Sequence, residues 1–266
     1  MTDKAAELPG GCALLHLAEV DSTNAEAMRR MLSGTSGPLW VLADRQSAGR
    51  GRSGRAWVSA AGNLFASLLV ETDCPPAGAG QLSLLAGVAA VEAICKMGPV
   101  PDVRLKWPND ILIGQAKAGG ILVESSTRPG RPGVTAVVGV GLNLASAPDD
   151  LGPAATYLAA HGLSLSPREA LCFLAQAMTD WLDIWNDGEG FARVREAWLA
   201  RAGAVGEPLT VHAAGGLVHG RFAGLDDNGA LIVAQADGRQ LTFTFGDVSL
   251  ADRSAEAAAQ GKDERR

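Results

Sequence analysis

The sequence predicts a mixed α/β fold, of the α+β type, followed by a small β-barrel. Strand and helix patterns interleave from the start of the chain to about residue 205. Between 206 and 252 only short alternating apolar runs occur, separated by hairpin signals. The tail 253–266 is rich in Ala, Gln, Gly and charge, and we expect it to be disordered.

The first predicted elements are a short helix and, after it, two strands. The polar run 21–24 (Asp-Ser-Thr-Asn) precedes an apolar-periodic segment 25–32, so one of these four residues should cap a helix that Gly34 ends. Segments 39–43 and 63–70 have the apolar, strand-forming character of buried strands.

The middle of the chain predicts one buried helix and four strands. Residues 82–97 have the length and pattern of a helix, which Gly98 and Pro99 close. The turn pair Pro108-Asn109 separates two short strand patterns. The four predicted strands are 103–107, 110–113, 120–124 and 134–142.

Two helices and then hairpins follow. Ser166-Pro167-Arg168-Glu169 supplies an N-cap, a first-turn proline and an acid at the third helical position, which predicts a helix from there to about residue 185. A second helix should cover 191–201. Hairpin turns are predicted at 226–229 (Asp-Asp-Asn-Gly) and at 237–238 (Asp-Gly).

Charge and composition restrict the function classes. The 266 residues carry a formal net charge of -6 at pH 7, with 47% hydrophobic and 20% charged residues. General polynucleotide binding depends on many cations that neutralise phosphates, so the acidic balance argues against it. An anion site in this protein should therefore be local.

Cysteine spacing and the lack of an apolar leader indicate the compartment. The four cysteines, Cys12, Cys74, Cys95 and Cys172, form no C-x-x-C pair and suit buried reduced thiols. The apolar stretch 82–94 contains Glu92 and is shorter than the roughly 20 residues that cross a bilayer. We expect a cytoplasmic protein without membrane insertion.

One loop concentrates cations and glycine. Residues 49–55 alternate three arginines with three glycines, and Trp57 follows. Gly49, Gly51 and Gly54 satisfy G-x-G-x-x-G, but a strand pattern rather than a helix follows, and no G-K-[ST] is present. The loop suits an anionic ligand, because glycines admit oxyanions to backbone N–H groups and arginines offer forked donors. A solvated basic loop is the alternative reading if the loop is considered alone.

Two further segments strengthen the anion-site reading. Segment 106–110 (Lys-Trp-Pro-Asn-Asp) places a cation, an indole and a carboxylate around one turn, and Lys117 opens Lys-Ala-Gly-Gly at the head of a strand. Together with the arginine loop they predict a site that holds a triphosphate and stabilises the charge that develops as it is cleaved.

The ordered motifs resemble those of biotin protein ligases, the biotin:acetyl-CoA-carboxylase ligases. The motifs are DSTN (21–24), RQSAGRGRSGRAW (45–57), KWPNDI (106–111), KAGGILVE (117–124) and VGVGLNL (138–144). The resemblance implies an SH2-like mixed sheet with flanking helices in 1–205 and an SH3-like domain in 206–252. It also implies the condensation of biotin with ATP to biotinyl-5'-AMP and transfer of biotin to a lysine of a biotin carboxyl carrier protein.

The resemblance assigns roles at the biotin end of the site. Ser22, Thr23, Asn24 and Gln46 would hydrogen-bond the ureido head, since their side chains offer donors and acceptors.

The resemblance also assigns the cationic residues. Arg50, Gly51 and Arg52 would hold the biotin carboxylate and the phosphates, and would close over the adenylate to protect it from water. Lys117 would contact both the carboxylate and the α-phosphate, and Lys106 would support the phosphates. Catalytic roles are implied for Lys117, Arg52 and Asp110, the last orienting or deprotonating the acceptor lysine.

The remaining implications concern the ligand surface, the metal and the partners. The expected ligand-binding set also includes Trp57, Asn109, Gly120, Gly141 and Asn143. Glycines of the strand around Gly141 would let a ligand lie against the backbone, although close packing explains them equally well. The resemblance implies Mg²⁺ without assigning its ligands. It leaves the oligomeric state open, a homodimer included.

Two departures from the family pattern are visible. Ser53 stands where members commonly carry another arginine, which would weaken one phosphate or closure contact. Because DSTN begins at residue 21, we expect no N-terminal helix-turn-helix domain of about 60 residues, and hence no repressor role and no nucleic-acid partner.

Two rival functions stay open at the level of sequence. A lipoyl or octanoyl transferase of related fold would keep the lysine and accept a linear acyl chain; DSTN and the arginine loop favour biotin. A non-enzymatic nucleic-acid-binding module would use the arginine loop and bind with steep salt dependence, against which the acidic pI weighs.

Overall fold

A computed structural model describes residues 6–128, 130–148, 154–213 and 215–250. The chain divides into two compact units, residues 1–202 and residues 203–266. The tail 253–266, predicted to be disordered, lies outside the described residues.

The first unit contains eight strands and four α-helices among its described residues. The strands are β1 (Ala6–Glu7), β2 (Ala13–Val20), β3 (Leu39–Gln46), β4 (Leu64–Thr72), β5 (Val103–Lys106), β6 (Asp110–Ile113), β7 (Ala116–Thr127) and β8 (Val134–Leu142). The helices are α1 (Thr23–Leu32), α2 (Gln81–Met97), α3 (Pro167–Trp185) and α4 (Phe191–Leu199). The sequence predicted all four helices and each strand from β3 to β8, with differences of a few residues at their ends.

The eight strands form one mixed sheet in the order β1-β2-β3-β4-β8-β7-β6-β5. Only β2 and β3 pair in parallel; the other neighbours are antiparallel. α1 forms the crossover between the two parallel strands, as parallel pairing requires a connection that returns to the same end of the sheet. The mixed α/β prediction is confirmed.

The two faces of the sheet have different covers. α1 packs through Ala27 on Val41 and Val137. Side chains alternate between faces along a strand, so Val140, three residues after Val137, points to the other face together with its cross-strand partner Ile121. α2 packs there, since a methyl group on its Gly87 would lie 3.6 Å from the Ile121 side chain. One face therefore carries α1 and the opposite face carries α2, which packs in turn on α3 and α4.

α2 is more apolar than the sequence argument allowed. With the preceding turn it forms a helical stretch Pro76–Met97 of 22 residues, long and apolar enough to cross a bilayer by length and composition, whereas 82–94 was expected to be too short. However, 67% of its most apolar window is buried in the protein, and core helices pass the same test. Burial against the sheet and the other helices accounts for its composition.

The starts of α3 and α1 differ in how their N-cap residues are bonded. Ser166 and Glu169 form the predicted capping box at the start of α3. Ser22 occupies the N-cap position of α1, but its side chain makes no capping hydrogen bond. The prediction that one of residues 21–24 caps this helix is therefore confirmed for the N-cap position, although the Ser22 side chain forms no capping hydrogen bond. The side chains of Thr23 and Asn24 have other partners, described below.

The second unit forms a five-stranded antiparallel sheet. Its strands are β9 (Pro208–Ala213), β10 (Gly216–Leu225), β11 (Leu231–Ala234), β12 (Gln240–Phe243) and β13 (Asp247–Leu250), in the order β12-β11-β10-β9-β13. Both predicted hairpin turns are present. In the first, Asp226 Oδ1 accepts hydrogen bonds from the N–H groups of Asn228 and Ala230; Gly238 adopts φ +86° in the second.

The cysteines are all free thiols, but they are not all buried. Cys12 and Cys74 are buried, Cys172 is half-buried and Cys95 is exposed. Burial raises the pKa of Cys12, and this effect outweighs the hydrogen bond with Thr179. The expectation of buried thiols is thus wrong for Cys95, which stands on the solvent side near the end of α2.

Candidate active site

The strand register brings four predicted site residues into one row across the sheet. Lys106 pairs with Asp110, Asp110 with Gly120, and Gly120 with Gly141. Cross-strand partners share a face, and Gly141 has the same parity as Val137, so this row lies on the face that α1 covers in part. The row crosses β5, β6, β7 and β8.

A carboxylate between two ammonium groups stands at one end of this row. Asp110 Oδ1 lies 2.5 Å from Lys117 Nζ, and Asp110 Oδ2 lies 2.7 Å from Lys106 Nζ. The exposed fractions of the three side chains are 13% for Asp110, 16% for Lys106 and 29% for Lys117. Burial alone would raise the pKa of Asp110, but the attraction of Lys117 and Lys106 outweighs it, and the pKa lies below the ordinary aspartate value.

The cluster of Lys106, Asp110 and Lys117, here called the lysine–aspartate cluster, carries excess positive charge. The two cations and one anion of these three mostly buried side chains sum to one unit of positive charge. Such a cluster favours an anionic ligand, because Coulomb attraction is stronger where water is partly excluded.

Trp57 lies across the glycine floor formed by Gly120 and Gly141. A methyl group on Gly141 would come within 2.7 Å of two Trp57 ring carbons, and one on Gly120 within 3.2 Å of another. Lys117 Nζ stands 5.4 Å from the centre of the Trp57 ring, a cation–π distance. The glycines therefore make room for the indole, which forms one wall beside the Lys117 ammonium group.

The Trp57 indole also leaves a polar atom unused. Its Nε1 is buried and has no hydrogen-bond partner in the part of the chain that the structure describes. Buried N–H groups without partners are uncommon, and they occur at ligand sites.

A second row of polar groups begins at the start of α1. The Thr23 N–H donates to Gln46 Oε1 at 2.8 Å, and the Thr23 hydroxyl lies 3.2 Å from the same oxygen. Gln46 Nε2 donates to the Ser59 hydroxyl at 3.1 Å. The buried Ser67 hydroxyl oxygen lies 2.8 Å from Thr23 Oγ1, within hydrogen-bond distance. The sequence named Thr23 and Gln46, and the structure brings them into direct contact.

Asn24 is fixed by the backbone and by two side chains. Its Nδ2 donates to the Leu122 carbonyl at 3.2 Å and to Glu124 Oε2 at 2.8 Å, while Oδ1 accepts from Ser67 at 2.6 Å. Gly139 lies directly beneath it, since a methyl group there would come within 2.2 Å of Asn24 Oδ1. Ser22, Thr23 and Asn24 are each buried.

The DSTN segment is held at its other end by an ion pair. Arg29 donates to both carboxylate oxygens of Asp21, at 2.9 and 2.7 Å. This hydrogen bonding lowers the pKa of Asp21 to about 2. Asp21, just before α1, is thereby tied to Arg29, which lies about two helical turns along α1.

The arginine loop is a small hairpin, not a helix start. Arg50 and Ala56 form an antiparallel bridge, the Trp57 N–H donates to the Gly49 carbonyl at 2.9 Å, and the Gly51 N–H donates to the Arg55 carbonyl at 2.7 Å. This result confirms the rejection of a dinucleotide-binding turn. It also carries Trp57 back from the loop to the glycine floor.

The tip of the hairpin is tight. Residues Arg52–Gly54 form a tight turn in which Ser53 adopts φ 55° and Gly54 φ 73°. A left-handed conformation is unfavourable for a residue with a side chain. Ser53 adopts it here because the turn at the hairpin tip requires it. Arg52, half-buried, begins this turn, and the Arg55 N–H donates to its carbonyl at 3.2 Å.

Arg50 reaches from the hairpin to β7. Its Nη2 lies 3.1 Å from Oε1 and 3.2 Å from Oε2 of Glu124, the carboxylate that also accepts from Asn24. The arginine loop and the DSTN segment therefore meet at one side chain.

The predicted asparagines hold the backbone of the site. Asn109 Nδ2 donates to the Ile121 carbonyl at 2.6 Å, and the Ile121 N–H donates to the Asn109 carbonyl. Asn143 Nδ2 donates to the carbonyls of Thr156 at 3.0 Å and Lys117 at 3.4 Å. Both residues fix the strand that carries Lys117. Their expected contacts with a ligand stay predictions.

Three residues of this network were absent from the sequence-derived set: Ser59, Ser67 and Glu124. Ser67 is a polar residue inside an otherwise apolar strand pattern, and Glu124 closes the KAGGILVE motif. Both could have been noticed in the sequence as polar residues within otherwise apolar strand patterns. Ser59 carries no comparable signal.

Comparisons with known proteins match this chain to biotin protein ligases. Residues 17–143 match the model of the Biotin/lipoate A/B protein ligase family, and residues 205–251 match the Biotin protein ligase C terminal domain. The biotin--[acetyl-CoA-carboxylase] ligase of Paracoccus denitrificans is 44% identical over 233 residues, which cover 85% of this chain and 95% of that protein. The chain belongs to the biotin protein ligase family.

Solved structures of family members share the fold. The biotin protein ligase from Aquifex aeolicus, in complex with biotin and ATP, has a TM-score of 0.76 at 26% identity over 90% of this chain and 99% of that chain. The Leishmania major biotin protein ligase in complex with biotinyl-5-AMP has a TM-score of 0.60 at 26% identity, over 87% and 98%. The second unit is the SH3-like C-terminal domain of this family.

No protein-made metal centre is evident in the described ranges. These residues contain no group of three or more His, Cys, Asp or Glu side chains that could hold a metal ion. Mg²⁺ prefers several oxygen ligands and keeps water where protein ligands are few.

Proposed function

We propose that this chain is an ATP-dependent biotin protein ligase, which forms biotinyl-5'-AMP and transfers the biotinyl group to one lysine of a biotin carboxyl carrier protein. The observation that carries this proposal is the position of the lysine–aspartate cluster. It lies beside the Trp57 wall on a glycine floor, on the same sheet face as the polar network of DSTN. One sheet face thus carries a polar network and a cationic patch.

The polar network suits the ureido head of biotin. A ureido group has two N–H donors and one carbonyl acceptor, and it requires complementary groups when buried. Thr23, Asn24 and Gln46 already hold one another in fixed orientations through Ser67 and Ser59. A pocket that is rigid before binding loses less entropy on binding.

The cationic patch suits activation of the biotin carboxylate. A carboxylate oxygen attacks the α-phosphorus of ATP, the mixed carboxylic–phosphoric anhydride of biotinyl-5'-AMP forms, and pyrophosphate leaves with the electron pair of the broken P–O bond. Two anions must approach, so fixed cations lower the barrier. We assign this role to Lys117 and Lys106, supported by Arg50 and Arg52 from the hairpin. Asp110 keeps both ammonium groups in place.

In the transfer step, the free amine of the acceptor lysine attacks the carbonyl carbon of the anhydride, and AMP leaves. The lowered pKa of Asp110 makes it a weak proton acceptor. We therefore propose that Asp110 orients the cationic groups of the site and the incoming amine, rather than removing the proton of the amine itself.

The proposal also covers the metal ion, the cellular location and the partners. Without a cluster of protein ligands in the described ranges, Mg²⁺ would arrive bound to the phosphates of ATP. The cytoplasmic location and the absence of a nucleic-acid partner remain predictions from the sequence, which leaves the oligomeric state open, a homodimer included. Among relatives, the Paracoccus denitrificans protein is named a ligase for acetyl-CoA carboxylase, which supports a carrier domain of that kind as the acceptor.

A lipoyl or octanoyl transferase is the competing enzyme, because the family model of residues 17–143 covers biotin and lipoate ligases alike. The C-terminal match to a biotin protein ligase domain and the DSTN network favour biotin. The deciding experiment incubates the purified chain with ATP, Mg²⁺, a biotin carboxyl carrier domain and either biotin or lipoate. We expect a mass gain of one biotinyl group on the carrier with biotin alone. A gain with lipoate only, or none with biotin, would contradict the proposal.

A further inference from the structure

Glu124 occupies the point where the two halves of the proposed site meet. It lies on β7 opposite Val137, on the sheet face that carries α1, and its side chain is 31% exposed. We propose that Glu124 is a positioning residue, which sets the orientation of the Asn24 amide and holds Arg50 over the site. This inference rests on the proposed function and adds a residue to it.

The contact with Asn24 fixes which end of the amide faces a ligand. One Asn24 N–H is taken by the Leu122 carbonyl and the other by Glu124 Oε2, so both amide hydrogens are used within the protein. Oδ1 accepts from Ser67 and keeps a second lone pair. A ureido N–H could use that lone pair. The negative charge of Glu124 favours this orientation, because the reversed amide would bring two oxygens together.

The contact with Arg50 leaves part of the guanidinium outside the ion pair. Both hydrogen bonds to Glu124 start from Nη2, so Nη1 and Nε take no part in this pair. The Arg50 side chain is 47% exposed. A guanidinium can hold one carboxylate on one side and a second anion on another, since it carries five N–H donors. Glu124 can thus anchor Arg50 while Arg50 binds a carboxylate or phosphate.

A carboxylate close to an anion site could also act in the opposite way, by competing for Arg50. The two mechanisms predict opposite signs for the same substitution. If Glu124 anchors Arg50, its neutralisation loosens the hairpin and speeds release of the adenylate. If Glu124 competes, its neutralisation frees Arg50 and slows release. The shared contact with buried Asn24 favours anchoring, because a competing group would not be held by a second partner.

The test measures release of preformed biotinyl-5'-AMP from the full chain, with excess unlabelled biotin as a chase. Glu124→Gln keeps the size and an oxygen acceptor for Asn24 but removes the charge. We expect release about three- to fivefold faster, the range of a partly exposed ion pair, while the Kd for biotin alone stays within about twofold. Glu124→Ala should also weaken biotin itself, by about five- to tenfold, because the Asn24 amide loses its acceptor.

A double variant with Arg50→Ala and a control at Glu71 distinguish a positioning role of Glu124 from a general structural effect. In Arg50→Ala, adding Glu124→Gln should cause no further acceleration of release, since Glu124 acts through Arg50. Glu71→Gln is the matched control: Glu71 pairs with Arg128 at 3.3 Å and its side chain is 35% exposed. We expect wild-type release from it.

Unchanged or slower release in Glu124→Gln, additive effects with Arg50→Ala, or equal acceleration in the Glu71→Gln control would each overturn the role of Glu124. A wild-type chain that forms no biotinyl-5'-AMP would overturn the proposed function, and this inference with it. The two failures are thereby distinguished in one experiment.

Discussion

Replacing Asp110 with asparagine should destabilise the first unit measurably. The substitution keeps the shape of the side chain but removes the negative charge between Lys106 and Lys117, whose ammonium groups lie 2.7 and 2.5 Å from the two carboxylate oxygens. An asparagine offers one oxygen acceptor, and its NH₂ group would then face an ammonium group. Two like charges would remain on a mostly buried surface without the Asp110 carboxylate between them.

The magnitude follows from burial. Breaking a fully buried ion pair costs about 3–5 kcal/mol, whereas exposed pairs contribute about 1 kcal/mol or less. The side chains of this cluster are mostly but not fully buried, so the free energy of unfolding should fall by about 2 kcal/mol. For a unit of this size, that loss lowers Tm by about 4–8 °C.

The stability difference between wild type and Asp110→Asn should depend on pH in a definite direction. The pKa of Asp110 is lowered, because the attraction of Lys117 and Lys106 outweighs the effect of burial. A carboxylate with a lower pKa in the folded state stabilises the fold above the pKa of the unfolded chain, and this stability is lost as the pH falls through the folded value. The difference in stability between wild type and Asp110→Asn should therefore be full at pH 7 and shrink below about pH 4.

Thermal and urea unfolding, followed by circular dichroism at pH 7 and at pH 3.5 (roughly the ordinary aspartate value), measures both effects. Asp44→Asn is the control, since Asp44 pairs with His16 at 2.7 Å with both side chains well exposed, and it should change the free energy of unfolding by less than about 0.5 kcal/mol. Equal stability of wild type and Asp110→Asn at pH 7, or a difference that grows on acidification, would refute the electrostatic reasoning.

Three other predictions concern the same surface. Lys117→Ala should lower biotin-dependent pyrophosphate exchange by about 100-fold or more while circular dichroism shows an intact fold, since a fixed cation at the reacting phosphate is lost; near-normal exchange would rule out this role. Arg52→Gly should weaken retention of the adenylate and let it label bystander lysines in a protein mixture, and unchanged selectivity would count against a closing role of the hairpin. Gly141→Ala should displace Trp57, because the new methyl group would lie 2.7 Å from its ring, and should lower the free energy of unfolding by about 1–3 kcal/mol with a shift in tryptophan fluorescence. Gly80→Ala, which meets open space, is its control and should leave both values unchanged.

Local sequence signals predicted most of the elements. The capping box at Ser166 located the start of α3, and Asp226–Gly229 and Asp237-Gly238 located two hairpins. These signals act over a few residues, so they can be read without knowing the rest of the fold. The strand pattern after the arginine loop likewise excluded a dinucleotide-binding turn, which the hairpin confirms.

Contacts between distant segments could not be predicted in the same way. Glu124 meets Asn24 and Arg50 across 100 and 74 residues of sequence, and this meeting depends on the register of β7 with β8. Register is set by the packing of the whole sheet, so a single motif does not reveal it.

The start of α1 shows a local rule overridden at the candidate site. Ser22 holds the N-cap position, yet no capping bond forms from its side chain. The following Thr23 and Asn24 direct their side chains to Gln46, Ser67 and Glu124 instead. Departures of this kind are expected where a site, rather than a helix end, determines which residues are present.

The most direct measurement mixes the purified chain with biotin and Mg²⁺-ATP in the absence of any carrier, and then isolates the protein by rapid gel filtration. We predict release of one equivalent of pyrophosphate per chain in a burst and biotinyl-5'-AMP that remains bound to the protein. Pyrophosphate release that does not depend on biotin, or a protein fraction free of biotinyl-5'-AMP, would contradict the assignment of this surface to biotin activation.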